Sequence, residues 1–203
     1  MSTPSPAAEP RDYFAIFSLP RKLWIEMNAL EQKFLQMSWK LHPDNFVNAS
    51  ESERESSLRR SSELNDAYRT LKEPVARVEY LLAIEGARKE GEQKQQVPPE
   101  LLEEVFELNE SLDELRESKS AGGDLTALKR RLESAQKNFQ QKLEEVDAEL
   151  FKVAKEWDAI VDVEAGGTDA KPEREAVKAR LNELLNRRAY IRNLVNNVAK
   201  ELA

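Results

Sequence analysis

The sequence contains no cysteine and a single histidine. The first absence excludes disulfides, thiolate metal sites and thiol nucleophiles, and it fits a reducing compartment. The second excludes a histidine-based metal centre, including a carboxylate bundle site, which needs Glu-x-x-His on two helices. Glycine is scarce, at 6 residues, and aromatics make up only 7%. No apolar run approaches the roughly 20 residues that cross a bilayer. Positive charge is also in deficit: the formal net charge is −7, which removes electrostatic support for nucleic-acid binding. There is no Gly-rich phosphate loop and no dinucleotide fingerprint. Glutamates are abundant, yet none is paired with a nucleophile or an apolar pocket that would raise its pKa. These absences argue against an enzyme and for a protein without cofactor or metal.

What is present is charge and helical periodicity. Charged residues reach 34% against 40% hydrophobic, the balance of an all-α chain with long solvated faces. Residues 1–10 hold three prolines and no apolar core, so they are expected to form a disordered leader rather than a signal peptide or anchor. Arg11 to Leu19 carries Tyr13, Phe14, Ile16, Phe17 and Leu19, a short helical plug expected to end at Pro20. From Glu26 to Leu41 the apolar residues Met27, Leu30, Phe34, Met37 and Leu41 recur at alternating steps of three and four. Lys33, Gln36 and Lys40 follow the same spacing on a second, basic face. Pro43 then stops the helix and pushes His42 out of helical geometry. A second long helix is expected from Glu51 to Lys72, with Leu58, Leu64, Tyr68, Leu71 and Ser61 on its packing face. The two long helices read as an antiparallel hairpin. Pro74 opens a further short helix, Val75 to Ile84, with Val78, Leu81 and Leu82 inward.

Residues 85–99 read as a linker, with two glycines, a Gln/Lys/Glu run and Pro98-Pro99. Beyond it lie three heptad-like segments, expected to pack as a three-helix bundle over residues 100–203. The first, Glu100 to Ser118, has its seam at Leu101, Val105, Leu108, Leu112 and Leu115. The second, Asp124 to Trp157, has its seam at Leu128, Leu132, Ala135, Phe139, Val146, Leu150, Val153 and Trp157. The third, Pro172 to Leu202, uses Val177, Leu181, Leu184, Ile191, Val195, Val198 and Leu202, with Arg188 interrupting.

Two features are left over by this packing. His42, Pro43 and Asp44 form a polar tip between the hairpin helices, with no catalytic partner. On the first bundle helix, Glu103, Glu107, Glu110 and Glu114 make an acidic stripe beside Leu102 and Phe106, one position off the seam. The apolar pair either widens the core face or marks a protein-docking patch.

The aromatic short helix, the basic-faced helix, His42-Pro43-Asp44 and Asn65-Asp66-Ala67-Tyr68…Leu71…Pro74 resemble a J-domain over residues 11–84. Arg77-Val78-Glu79-Tyr80-Leu81-Leu82 and the three-helix segment resemble, more narrowly, the HscB family, J-domain co-chaperones of iron–sulfur cluster assembly. The resemblance covers nearly the whole chain from Arg11. It implies that His42, Pro43 and Asp44, supported by Lys33 and Lys40, dock on an Hsp70-class chaperone of HscA or DnaK type and stimulate its ATPase. It implies a second surface, Leu102, Phe106, Glu107, Glu110, Glu114 and Tyr190, that holds the scaffold protein IscU. Two positions depart from the family pattern: Asn45 stands where a basic residue is usual, and Glu103 where an apolar one is. The cysteine-bearing extension of eukaryotic relatives is not seen, so the resemblance points to a bacterial, cytoplasmic type. The alternative is a J-domain whose bundle takes another client or forms a weak homodimer.

Overall fold

A computed structural model describes residues 12–88 and 97–203. The expected leader, residues 1–10, and residues 89–96 of the expected linker lie outside the described residues. Among the described residues every regular element is helical: α1 (Tyr13–Ile16), α2 (Met27–Lys40), α3 (Glu51–Lys72), α4 (Pro74–Ile84), α5 (Leu102–Ala121), α6 (Thr126–Ala165) and α7 (Lys171–Leu202). The chain divides into two compact units. One comprises residues 1–90 with Ala154–Arg174; the other comprises Gly91–Val153 with Glu175–Ala203. The segment expected as one bundle, 100–203, is thus shared between the units, because the turn joining α6 to α7 packs with the N-terminal helices.

In the first unit, Asp12 opens α1 by accepting the Phe14 backbone N–H at 2.9 Å. Phe14 and Phe17 are buried, as an aromatic plug should be. The helix is not ended by Pro20, as expected, but two residues earlier. Ser18 turns left-handed at φ 50°, and the N–H groups of Ser18 and Leu19 return to the carbonyls of Ala15 and Phe14. Tyr13 stacks on Tyr80 of α4 with centroids 4.3 Å apart.

The Glu26 carboxylate caps α2 through the N–H groups of Asn28 and Ala29. Ser50 and Glu53 form a reciprocal capping box at the start of α3, which holds the Glu53 carboxyl below its ordinary range. The hairpin core is Leu30, Phe34 stacked on Tyr68 at 4.1 Å, Leu64, Ala67 and Leu71. Two expected core positions are corrected. Met27 is 37% exposed and Leu58 59%. At the thin start of α3 the buried residue is instead Ser57, whose hydroxyl donates to the Leu41 carbonyl at 3.1 Å.

Arg77 of α4 is buried among these helices. Its guanidinium donates to the carbonyls of Leu71 and Lys72, closing the end of α3, and to that of Leu23. Burial lowers its pKa, opposed by Asp158 and Glu73. α6 runs eight residues past its expected end at Trp157, and the added turns hold the loop before α2. The Asp158 carboxylate accepts the N–H groups of Leu23 and Trp24 at 2.6 and 2.8 Å, and Trp157 Nε1 donates to the Arg21 carbonyl at 2.7 Å. Burial pushes the Asp158 carboxyl up, although the two N–H donors pull it down. Arg174 lies over the Trp157 ring and pairs with Glu164 and Glu85.

In the second unit the seam of α5 is buried at all five expected positions, and α5 closes on Gly122 in the left-handed region, φ 71°. Leu132, Phe139, Val146, Leu150 and Val153 of α6 are buried, as are Val177, Leu181, Leu184, Ile191 and Val198 of α7. Near the end of α7, Leu194 takes the buried place expected of Val195, which is half-buried. Arg188, the interruption in that seam, forms a two-pronged pair with Asp147 of α6, at 2.5 and 3.2 Å.

Candidate functional site

The two leftover features lie in different units, and each is built by its own helices. In the first unit, the chain leaves α2 at Leu41 and His42 adopts an extended backbone, φ −63° and ψ 134°. Pro43 then opens a single tight 3-10 turn, Pro43–Phe46, for which its fixed φ is preorganised. Hydrogen bonds hold the corner, among them that of the His42 N–H to the Trp39 carbonyl at 3.3 Å. The Asp44 N–H donates to His42 Nδ1 at 3.3 Å. The Asn45 N–H donates to the His42 carbonyl at 3.0 Å. Asn45 Nδ2 donates to the Trp39 carbonyl at 2.7 Å. The side chains of His42 and Asp44 are 56% and 86% exposed, with Nδ1 and the carboxylate 3.5 Å apart. The tip is therefore ordered by backbone geometry while its polar side-chain atoms face solvent. Asn45, which departs from the family pattern, does the latching.

The basic face of α2 is thinner than its sequence suggests. Lys33 is half-buried and donates its ammonium to the Phe17 carbonyl at 2.7 Å, so it ties α1 to α2. Lys40 is exposed and lines a groove with Met37, Leu41, Arg60 and Glu63. Sequence reasoning passed over two large exposed residues here, Leu35 and Trp39, which are 59% and 78% exposed. The signal was available: both are apolar residues that the α2 seam does not use.

In the second unit, Leu102 and Phe106 do not widen the core. They are 55% and 64% exposed, on a helix whose seam is otherwise buried. Glu107, Glu110 and Glu114 are exposed on the adjoining face, and Glu114 lies 3.5 Å from Arg131 of α6. Glu103, the departing position, is exposed as well. Tyr190 of α7 is half-buried, and burial raises its pKa. Its place relative to α5 follows from two cross-helix ion pairs, Arg187 to Glu100 at 3.3 Å and Arg116 to Glu201 at 2.7 Å. These make α5 and α7 parallel neighbours. At 1.5 Å per residue they set Tyr190 within about 4 Å, along the axis, of the levels of both Leu102 and Phe106. Further along this α5–α7 seam, Asn109, Asp113, Arg116, Asn197 and Glu201 line a polar groove.

Among the described residues no three His, Cys, Asp or Glu side chains are grouped to hold a metal ion, and no helix is long and apolar enough to cross a membrane. Both surfaces offer contact rather than enclosure.

Comparison with known proteins gives concordant matches. Residues 97–199 match the family model of the HSCB C-terminal oligomerisation domain. The co-chaperone protein HscB homolog of Vibrio vulnificus is 34% identical over 139 residues, spanning 68% of this chain and 80% of that one. The homolog of Vibrio parahaemolyticus is 38% identical over 104 residues, 51% of this chain and 61% of that one. Among solved structures, chaperone HscB from Vibrio cholerae has a TM-score of 0.54 at 26% identity, covering 94% of this chain and 96% of its own. Human co-chaperone protein HscB has a TM-score of 0.57 at 22% identity, covering 99% and 85%, a likeness of fold.

Proposed function

The chain belongs to the HscB family of co-chaperones, and we propose on that premise that it is an adaptor with two docking surfaces and no chemistry of its own. His42, Pro43 and Asp44 engage an Hsp70-class chaperone of HscA or DnaK type and stimulate its ATP hydrolysis. Lys40 adds a cation beside the tip, while Lys33 contributes charge from its fixed place on the Phe17 carbonyl. Leu102, Phe106, Glu107, Glu110, Glu114 and Tyr190 hold the iron–sulfur scaffold protein IscU. The observation that carries this reading is the ordered, solvent-facing tip: a His-Pro-Asp corner latched by Asn45, with its imidazole and carboxylate exposed. Such a corner can present the same donor and acceptors to each incoming partner without reordering first. The exposed apolar pair on α5, ringed by carboxylates, supports the second surface in the same way: apolar anchors at the centre and polar groups at the rim.

Single-turnover ATP hydrolysis by the chaperone tests the first surface. The wild-type chain should accelerate it, and His42→Gln should abolish the acceleration while the helical circular dichroism stays unchanged. A fully stimulating variant would sink the J-domain assignment. Retention of the chain on immobilised IscU tests the second. Leu102→Ala/Phe106→Ala should weaken it by about 2 kcal/mol or more, the scale of losing two central anchors. Equal retention of wild type and variant would show that the patch lies elsewhere.

A second reading is favoured by the matched domain's description as an oligomerisation domain. In it the same apolar pair meets a second copy of the chain. Sedimentation of wild type and the double variant separates the readings, since only self-association makes the variant lighter.

A further inference from the structure

We infer, independently of what the His42–Asp44 tip engages, that a groove beside α1 is the seat of residues 6–11 of this same chain, Pro6-Ala7-Ala8-Glu9-Pro10-Arg11. α1 is a single turn, too short to cover the hairpin seam along its length. Met37 and Leu41, two residues of that seam, stay half-buried. With Ile16 of α1 and Leu64 of α3 they floor an open groove of about 490 Å³. That is the size class of a bound peptide fragment or small ligand. The rim carries Lys40, Arg60, Glu63 and Asp12. Asp12 is already engaged, by the Phe14 N–H and by Arg21. Among the described residues, Lys40, Arg60 and Glu63 have no ion-pair partner.

Position, charge and composition select this occupant. The chain reaches α1 through Asp12, so the residues before it start on the rim itself. Glu9 lies three residues back, and three residues of extended chain span about 9 Å, close to one helix diameter. That reach brings its carboxylate to Lys40 and Arg60, while Arg11, next to Asp12, meets the free carboxylate of Glu63. An anion and a cation are thus offered to a rim that holds free groups of both signs. The remainder, Pro6, Ala7, Ala8 and Pro10, are small apolar residues for an apolar floor. Proline fixes φ, so seating such a segment orders fewer backbone angles. Apolar grooves read Pro-bearing segments for that reason. A tether this short gives an effective concentration on the order of millimolar, so individually weak contacts suffice. A seated segment covers Lys40 and offsets its charge beside the tip.

The chain has no cysteine, so Ser5→Cys accepts a nitroxide label at one defined place. In the labelled full chain, paramagnetic broadening of the Met37, Leu41 and Leu64 methyl signals reports the seated segment. Glu9→Lys, which keeps the tether length, should weaken that broadening at least about threefold. Lys40→Glu/Arg60→Glu should weaken it to a similar extent. The three substitutions together should bring it back to within about twofold of the chain that carries none of them. Restoration by charge exchange separates seating from tethering alone, which all four chains share. Acetylation of Lys40 Nζ by a limiting reagent, read by mass spectrometry, should run about threefold faster in Glu9→Lys than in the wild type. Broadening that is absent, or equal in all four chains, overturns the proposal. So does a loss that the triple variant fails to restore, or a Lys40 acetylation rate that Glu9→Lys leaves unchanged. A mixture of nitroxide-bearing chains with isotope-labelled, nitroxide-free chains covers the remaining occupant. Broadening in that mixture would assign the groove to the segment of a second copy and overturn the seat within one chain. Lys40 and Arg60 are exposed, so thermal melts of the variants should match those of the wild type.

Discussion

Arg77 shows how one side chain can serve three carbonyls on two separate pieces of backbone. Its guanidinium takes the carbonyls of Leu71 and Lys72 at the end of α3 and of Leu23 in the preceding loop, with Met27 Sδ 3.8 Å away. Helix ends leave four carbonyls without intrahelical partners, and a buried end needs donors brought to it. Arg77→Met keeps the apolar stem and removes every donor, leaving buried acceptors unmet at ~1–3 kcal/mol each. The expected loss is about 3 kcal/mol or more, read as a lower urea midpoint at unchanged slope. Nothing in the periodicity of α4 pointed to this role, since arginine is a residue that usually faces water. Ser18 is similar. Pro20 was the visible stop signal, but the stop that acts is a left-handed serine, a conformation for which sequence reading looks to glycine first. His42 was legible for the opposite reason: a lone histidine before proline between two helical stripes stands out without any tertiary information.

At the scale of elements, legibility followed how local the partners are. The α5 seam was readable at all five positions because its burial obeys a strict repeat of four and three. The last turns of α6 were not, because Asp158 and Asp162 interrupt the apolar pattern. Their partners, Leu23, Trp24 and Lys22, lie far upstream in the chain. The acidic Leu102–Phe106 patch was half legible: periodicity separated it from the seam, and only burial could decide between a wider core and an open surface. Arg188 is the other break in pattern, and Asp147 across the bundle explains it. A pair 17% and 30% exposed is costly to break on one side only. Arg188→Leu and Asp147→Leu should therefore each destabilise the bundle, while the double variant recovers much of the loss. A double-mutant cycle in urea should return a coupling of about 1–3 kcal/mol. Additive effects would mean that the arginine merely fills space.

At the scale of the molecule, the all-helical class and the family were legible. The assignment of chain to units was less so, because a composition shift marks a linker but cannot show which distant turn returns to pack. Residues 154–174 supply Trp157, Asp158 and Arg174 to the loop at Arg21–Trp24 and to Glu85. Residues 1–90 expressed alone lose all of these contacts. That fragment should melt at a lower temperature than the full chain and exchange the Leu23 and Trp24 amides faster. Identical melting and exchange would show that 11–84 is self-sufficient.

The discontinuity of the first unit has a consequence for the order of biosynthesis. Arg174 is made about 80 residues after Glu90, roughly 4–16 s later at ~5–20 residues per second. Until Asp158 has been made, the nascent hairpin lacks the acid that caps its Leu23–Trp24 loop. The tip is encoded early, but its unit is completed only when most of the chain has been translated.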